Sequence, residues 1–394
     1  MPTSAPIADY CKCAEEKFAY YVKHYISDTD WYESAGWKLG NSLDTMLDYL
    51  IHVDSSGAES FGRDAQTQCA AWLGWRDADW TWFDDYGWFV ISAYRAWQQT
   101  FFSAEVRGGF AKVSEDCWDR FKNAPYTWEW RNRDPDRFKD YGPAVDGPSM
   151  RGVWNTLWDG TSSDHLGDKE GIPSDGTLAG IQNTLTNALY LIGAQRRGDT
   201  AAAEAEWSFL NAWCSSQQQP NLWWPQNNGG ALVRERVSRF ADGKTAPGFQ
   251  ENWAWTGDQG LILGGLVGRI ANGQDAANAR TQAEALLTGA RLSLVDAHDG
   301  VLQPFTTTGT PPHLRGKGPD VGDYGTGTGV FWRYLLQAWN LKNPQLRGVL
   351  GSTDYQNFVR TNADAARAPA TDADVLSNQI AALVAAIVML DPAR

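Results

Sequence analysis

IQNTLTNALYLIGAQRRGDTAAAEAEWSFLNAW, residues 181–213, contains two helical patterns of different character. The first is apolar and rich in small residues, and Gly198-Asp199 separates it from a second that carries more charge. A helix that is apolar on all faces is typical of a buried position, whereas a charged face is typical of a helix that meets solvent. The stretch therefore predicts an inner helix followed by an outer one.

The same alternation recurs along the whole chain. Apolar spacing, caps and breakers predict twelve helices, near 6–26, 37–53, 61–76, 84–103, 105–122, 177–197, 200–215, 253–271, 274–296, 325–341, 345–366 and 373–390. Every second one is apolar and rich in Gly, Ala, Ser or Asn. Six inner and six outer helices predict an all-α fold, the closed (α/α)6 toroid or six-hairpin barrel.

Two long connections interrupt this rhythm, at 123–176 and 216–252. Both are rich in Gly, Pro, Trp and Asn, and loops of this length in a compact domain are usually functional or disordered. Their aromatic content argues against disorder. We expect them to form the walls of a cleft at one end of a single catalytic domain that spans 1–394.

Composition restricts the possible partners. The net charge of −13 argues against nucleic acid, and without a run of 18 apolar residues no membrane span is expected. The N-terminus lacks a signal-peptide pattern, which predicts a cytoplasmic protein, or a secreted or periplasmic one if a leader was removed. The five cysteines favour reduced thiols, and the five histidines lack metal-ligand spacing. We expect a monomer without metal or cofactor.

The number of tryptophans, 21, is high for a helical protein. Many fall in predicted loops and at helix starts, beyond the number that core packing needs. A flat indole ring packs on a pyranose face while its N–H reaches a hydroxyl. An oligosaccharide or polysaccharide is therefore the expected partner.

TWFDDYGWF, residues 81–89, places Asp84 and Asp85 among aromatic rings at the start of a predicted inner helix. Adjacent helical residues project about 100° apart, so both reach one cavity only from a helix end that faces it. Two close carboxyl groups do not ionise together easily, which leaves one charged and one protonated. Cleavage of a glycosidic bond requires such a pair. The alternative is an ordinary N-cap followed by an acidic first turn.

WFDDYGWFVISAYRAW, residues 82–97, resembles the signature of glycoside hydrolase family 76, the endo-α-1,6-mannanases. Further segments are similar in the same order: GWKLGNSLDTMLDYL (36–50), GVWNTLWDG (152–160), IQNTLTNALYLIGAQRRGD (181–199), WTGDQGLILGGL (255–266) and GTGVFWRYLLQAW (327–339). The chain departs from the family pattern at Tyr86, where an acidic residue is usual, and at Gly257-Asp258, where the family has Tyr-Asn. The shared mechanism is therefore the firmer expectation, and the shared substrate the less firm one.

The resemblance implies a retaining hydrolase of α-linked, mannose-containing glycans that needs no cofactor. It implies Asp84 as nucleophile and Asp85 as acid/base. The substrate-binding residues that we expect are Trp37, Asn41, Trp88, Trp158, Asp159, Asn183, Trp255, Asp258 and Gln259.

Other functions remain open from the sequence. One alternative is another (α/α)6 enzyme, acting on a different α-glycoside or as a uronide hydrolase, lyase or epimerase. A uronide enzyme needs cations for the substrate carboxylate, which Arg234, Arg236 and Arg239 could supply, although the sequence favours these as solvated or paired with Glu235 and Asp242. A glycan-binding protein without catalysis would keep the aromatic cleft. A magnesium-dependent prenyl enzyme is disfavoured, because Trp88 and Phe89 stand where a third acidic residue is needed.

Overall fold

The computed structural model describes residues 5–27, 31–75, 82–122, 152–153, 183–215, 222–235, 253–306 and 322–391. Within these residues the chain forms thirteen α-helices. They are α1 Ala5–Tyr21, α2 Trp31–His52, α3 Ala58–Trp75, α4 Phe83–Trp97, α5 Ala104–Phe121, α6 Thr184–Arg197, α7 Thr200–Ser215, α8 Thr256–Ala271, α9 Ala276–Ser293, α10 Gly327–Asn340, α11 Pro344–Leu350, α12 Thr353–Ala365 and α13 Ala373–Leu390.

Six helices form a closed inner ring. In order around the ring these are α2, α4, α6, α8, α10 and α13, each packed against the next, and α13 closes the ring on α2. The other helices pack outside it, for example α5 on α4, α7 on α6 and α9 on α8. This is the (α/α)6 toroid that the alternating composition predicts.

The inner helices run parallel. Where two neighbouring helices approach closely, residues later in one helix contact residues later in the other. Gly87 meets Leu189 as Val90 meets Gly193, Ile192 meets Gly264 as Gln195 meets Gly268, and Gly260 meets Phe331 as Gly264 meets Tyr334. The helices therefore begin at the same end of the ring. We call this end the mouth and the interior of the ring the bore.

Among the described helices, α13 is the one long and apolar enough to cross a membrane, over Ala373–Leu390. Of that window 72% is buried, because α13 packs against α1, α2, α10 and α12. The expectation that the chain has no membrane span stays a prediction. Burial inside the ring accounts for the composition of this helix.

Several predicted boundaries are also corrected. The helix predicted over 345–366 is two helices, because the chain breaks at Gly351 and Ser352 caps α12 by accepting a hydrogen bond from the Tyr355 N–H. The helix predicted over 84–103 ends at Trp97, and Ser103 caps α5. The helix predicted from 253 begins at Thr256, after an extended Trp255.

A small β-hairpin lies within the connection 216–252. Strand β1 (Trp223–Pro225) pairs antiparallel with β2 (Ala231–Val233). The hairpin rests on α9 at Gly289, where a Cβ atom would lie 2.0 Å from the carbonyl oxygen of Ala231. Strands of three residues carry too little alternation to be seen in the sequence.

Candidate active site

Asp84 and Asp85 lie in the first turn of α4, at the mouth. The N-cap of α4 is Trp82, in an extended conformation and without a side-chain cap, so the aspartates occupy the second and third helical positions. Neither is the N-cap residue that the structural alternative requires. Asp84 is partly exposed, whereas Asp85 is 9% exposed. The positive end of the helix dipole favours negative charge at both positions.

The contacts of α4 show which way the pair faces. Trp88 and Arg95 lie on the bore side of this helix, since their side chains meet Arg333 of α10 and Asp44 of α2. At about 100° per residue, Asp84 lies about 40° to one side of Trp88 and Asp85 about 60° to the other. The two carboxyl-bearing positions therefore flank the line that points into the bore.

Arg333 forms a layer beneath the pair. In the ring α10 stands opposite α4, and the buried guanidinium of Arg333 lies 5.9 Å from the ring centre of Trp88. Its Nη2 donates to Asn41 Oδ1 at 2.6 Å and its Nη1 to Thr45 Oγ1 at 3.0 Å. Arg333 thus links α10 to α2 and α4 across the bore, and Trp88 packs beneath Asp84 with 1% exposure.

A second charged layer lies deeper in the bore. Arg95 donates to Asp44 Oδ1 at 3.1 Å and to Asp48, and Arg196 Nη2 approaches Asp44 Oδ2 at 3.4 Å. Burial alone would raise the pKa of Asp44, but the charges of Arg196, Arg95 and Arg333 outweigh it and lower this pKa to about 2. At Asp48 burial outweighs Arg95, and the pKa is raised. Arg95 and Arg196 also lie in the last turns of α4 and α6, where the helix dipole favours cations.

Other predicted site residues also lie at the mouth. Asn183 is the N-cap of α6 and accepts a hydrogen bond from the Thr186 N–H at 2.9 Å. Trp255 is the N-cap of α8, and its Nε1 donates to the Tyr324 carbonyl at 2.9 Å. Asp258 is buried in the first turn of α8. The structure therefore gathers residues from α4, α6 and α8 at one end of the ring.

Trp37 lies in α2, partly buried, with the Lys38 ammonium 5.7 Å from its ring centre. Lys38 in turn forms an ion pair of 2.6 Å with Asp374, in the first turn of α13. These residues bring α2 and α13 into the same region as the aspartate pair.

Gln259 bonds both to the β-hairpin and to its own helix. Its Oε1 accepts from the Val233 N–H, and its Nε2 donates to the carbonyls of Val233 and Trp255, all at 2.8 Å. Strand β2 packs against the outer helix α9, so Gln259 faces the outer layer. Its amide hydrogens hold the hairpin in place, and Trp88 and Asn41 likewise have packing and bonding roles. Direct contact of these residues with a sugar stays a prediction.

Asn187 of α6 bonds to the backbone of the long connection 123–176, as Gln259 bonds to the backbone of the hairpin. The Val153 N–H donates to Asn187 Oδ1 at 2.8 Å, and Asn187 Nδ2 donates to the Val153 carbonyl at 3.0 Å. The Asn187 amide thus satisfies both backbone groups of Val153, as a neighbouring β-strand would. Trp158 and Asp159, which follow in the same connection, lie outside the described residues, as do Arg236 and Arg239.

Aromatic and charged side chains meet beside the mouth. Trp253 and Tyr324 pack edge to face with ring centres 5.1 Å apart. Glu235 follows β2 and accepts weakly from the Tyr324 hydroxyl at 3.4 Å, while its carbonyl accepts from the Thr184 N–H. Arg234 is 5% exposed, and its guanidinium lies 4.9 Å from the ring centre of Trp224.

The residues of the bore were missed in the sequence, although a signal existed. Asp44 and Asp48 are spaced by one helical turn in an apolar helix, and Arg95 stands alone in another. A charge in such a helix must find a partner of opposite sign. Among the described residues no group of three or more His, Cys, Asp or Glu side chains is arranged to hold a metal ion.

Comparison with known proteins yields structures only. No protein-family model and no curated protein sequence matches the chain. The α-1,6-mannanase GH76A of Salegentibacter sp. is similar in structure with a TM-score of 0.64 at 15% identity, over 96% of this chain and 99% of that one. An inactive variant of that enzyme, with two consecutive aspartates replaced by asparagine, is in complex with α-1,6-mannotriose (TM-score 0.63, 14% identity, 96% and 99% covered).

A GH76 α-mannanase of Bacteroides thetaiotaomicron is also similar, with a TM-score of 0.58 at 10% identity over 96% of both chains. At sequence identities this low, the structural similarity establishes a common fold and no more. The chain therefore shares the (α/α)6 toroid of these enzymes.

Proposed function

We propose that the protein is a retaining glycoside hydrolase that cleaves α-linked, mannose-containing glycans such as α-1,6-mannan. The observation that carries this proposal is the position of Asp84 and Asp85, adjacent in the first turn of an inner helix and on either side of the line into the bore. An α-1,6-mannanase of the same fold is inactive when two consecutive aspartates are replaced. The aromatic residues at the mouth suit a sugar ligand.

The exposure of the two aspartates supports different roles for them. Asp84 is the more accessible, so burial opposes its charged form less, as a nucleophile requires. Asp85 is the more buried, and burial favours the protonated form that a general acid requires. The sequence resemblance implies the same assignment.

The reaction then has two steps. The Asp84 carboxylate forms a bond to the anomeric carbon while the glycosidic bond breaks, and the leaving oxygen takes the proton of Asp85. In the second step Asp85 takes a proton from water as the water oxygen bonds to the anomeric carbon and Asp84 departs. Two inversions retain the α configuration, and neither step needs a cofactor.

The test is hydrolysis of α-1,6-mannan and α-1,6-mannotriose by the wild type, Asp84→Asn and Asp85→Asn. Asp354→Asn is the matched control, since Asp354 is also the second residue of a helix but lies on the outer helix α12. We expect both site variants to lose at least about a hundredfold in kcat/KM and the control to lose nothing. Undiminished turnover in the site variants would remove the assignment.

The products distinguish the remaining alternatives. Retention predicts that proton NMR first detects the α anomer of the new reducing end. A lyase would instead release an unsaturated sugar with ultraviolet absorbance, and a glycan-binding protein would bind mannotriose without releasing any product.

A further inference from the structure

Arg333 is the cation of the bore that has no carboxylate bonded to it among the described residues. Arg95 and Arg196 both contact Asp44, and Arg95 also contacts Asp48. Arg333 donates instead to the neutral oxygens of Asn41 and Thr45. Three guanidinium groups thus face two carboxyl groups, which leaves one positive charge in excess.

The excess charge lies beneath the first turn of α4. Arg333 is 1% exposed, so water screens its charge poorly. It contacts the face of Trp88, and Asp84 lies one helical turn above Trp88 on nearly the same side. The guanidinium therefore lies in the bore, below the aspartate pair.

We propose that Arg333 is a positioning residue whose buried charge keeps the carboxyl group of Asp84 ionised, and whose hydrogen bonds to α2 fix Trp88 beneath it. A cation close to a carboxyl group favours its charged form, and in this way the helix opposite the nucleophile assists it without touching the substrate. This inference rests on the proposed function in the role that it gives Asp84.

Other charged groups act on these positions. Around Arg333, Asp44 and Asp48 of α2 favour its charge, whereas burial and Arg95 of α4 oppose it. Tyr334, next to Arg333 on α10, also favours the charge.

Near the first turn of α4, Arg120 of α5 donates to the Tyr86 hydroxyl at 2.9 Å, on the outer side of the helix. Lys38 of α2 is paired with Asp374. Arg333 is thus a buried cation on the bore side of the pair, one helical turn below Asp84.

The test is the pH dependence of kcat/KM for Arg333→Met and Arg333→Lys. Loss of the charge makes Asp84 harder to ionise, so for Arg333→Met the acidic limb moves to higher pH, with about a tenfold loss near pH 4 beyond any loss at pH 7. Arg333→Lys keeps the charge and restores the acidic limb. Arg347→Met is the control, because Arg347 also stacks on a tryptophan, 3.5 Å from the ring centre of Trp339, but on α11 outside the ring.

A purely structural role predicts a different result, a loss that is uniform over pH and is not restored by lysine. That result would overturn the proposal. If Arg333→Met does not fold, Asn41→Asp neutralises the cation where Asn41 now accepts from it and must move the acidic limb in the same direction. An unchanged limb in Asn41→Asp would equally overturn the proposal.

A measurement without turnover separates this inference from the proposed function. In protein labelled with ¹³C at the aspartate carboxyl carbons, Asp84→Asn identifies the Asp84 signal. Titration of that signal must reach its midpoint at higher pH in Arg333→Met than in the wild type. If the wild type hydrolyses no glycan, the proposed function fails, while this titration still decides the inference about Arg333.

Discussion

Replacement of Asp44 by asparagine removes the central anion of the bore. Asp44 is fully buried and bonded to Arg95 at 3.1 Å, with Arg196 at 3.4 Å. Its pKa is lowered from 3.8 to about 2, which corresponds to about 2 kcal/mol in favour of the folded protein at neutral pH. The variant also takes the anion from the half-buried guanidinium of Arg196 and leaves Arg95 with Asp48 alone. Breaking a buried ion pair costs about 3–5 kcal/mol, and we expect a loss of this size at pH 7.

The stabilisation has a defined pH range. Because the pKa of Asp44 is lower in the folded than in the unfolded chain, its contribution is fully present above about pH 4 and is lost as the pH falls toward about 2. Wild-type stability should therefore fall through this range more steeply than that of Asp44→Asn.

The assay is urea unfolding followed by tryptophan fluorescence, at pH 7 and in steps from pH 4.5 to 2.5. Asp48→Asn is the matched variant, since Asp48 lies one turn further along α2 and also bonds to Arg95. Burial raises the pKa of Asp48, so its charged form is favoured less and its loss should cost less. Equal losses in the two variants, or an Asp44→Asn protein as stable as the wild type, would refute the reasoning.

Three further predictions concern the frame around the site. Asn187→Ala should cost about 1–3 kcal/mol in free energy of unfolding and expose Val153 to amide exchange, since both backbone groups of Val153 lose their partner. Gly260→Ala should cost about 1–3 kcal/mol, because the added Cβ would lie 2.8 Å from the backbone of α10, whereas Gly348→Ala meets nothing within 4 Å and should be neutral or stabilising. Glu206→Gln should raise stability at pH 8, since burial raises the pKa of Glu206 well above its usual range and its protonated form is lost as pH rises.

Each of these has an outcome that contradicts it. Unchanged amide exchange at Val153 would show that the side chain of Asn187 does not hold this connection. A melting temperature that falls as far in the Gly348 variant as in the Gly260 variant would show that the clash is not the cause. For Glu206, the contrary result is a wild type whose stability is as high at pH 8 as at pH 5.

The ring of helices could be predicted because a buried helix is richer in apolar residues than a helix that meets solvent. An inner helix such as α13 is apolar at every position over 380–390, where almost all of its residues are buried, which no outer helix needs to be. The split between α11 and α12 was also visible at Gly351-Ser352, a breaker followed by a capping residue. Boundaries such as the start of α8 depended on bridges to distant residues, here Trp255 with Phe305, which no local pattern shows.

The aspartate pair of the candidate site could be predicted from the sequence, but the residues that surround and hold it could not. Asp84 and Asp85 are adjacent in sequence, so a short stretch shows both. Arg333 approaches Trp88 only after the ring closes, some 245 residues apart in the sequence. The bonds of Gln259 to the hairpin are likewise invisible in the local sequence, because the hairpin comes from another part of the chain.

Covalent trapping of the nucleophile tests the central claim most directly. The protein is incubated with a 2-deoxy-2-fluoro-α-mannosyl fluoride, digested and analysed by tandem mass spectrometry. The account predicts one glycosyl adduct, on Asp84, that is absent from Asp84→Asn. An adduct on another residue, or none while the protein still hydrolyses mannan, would contradict it.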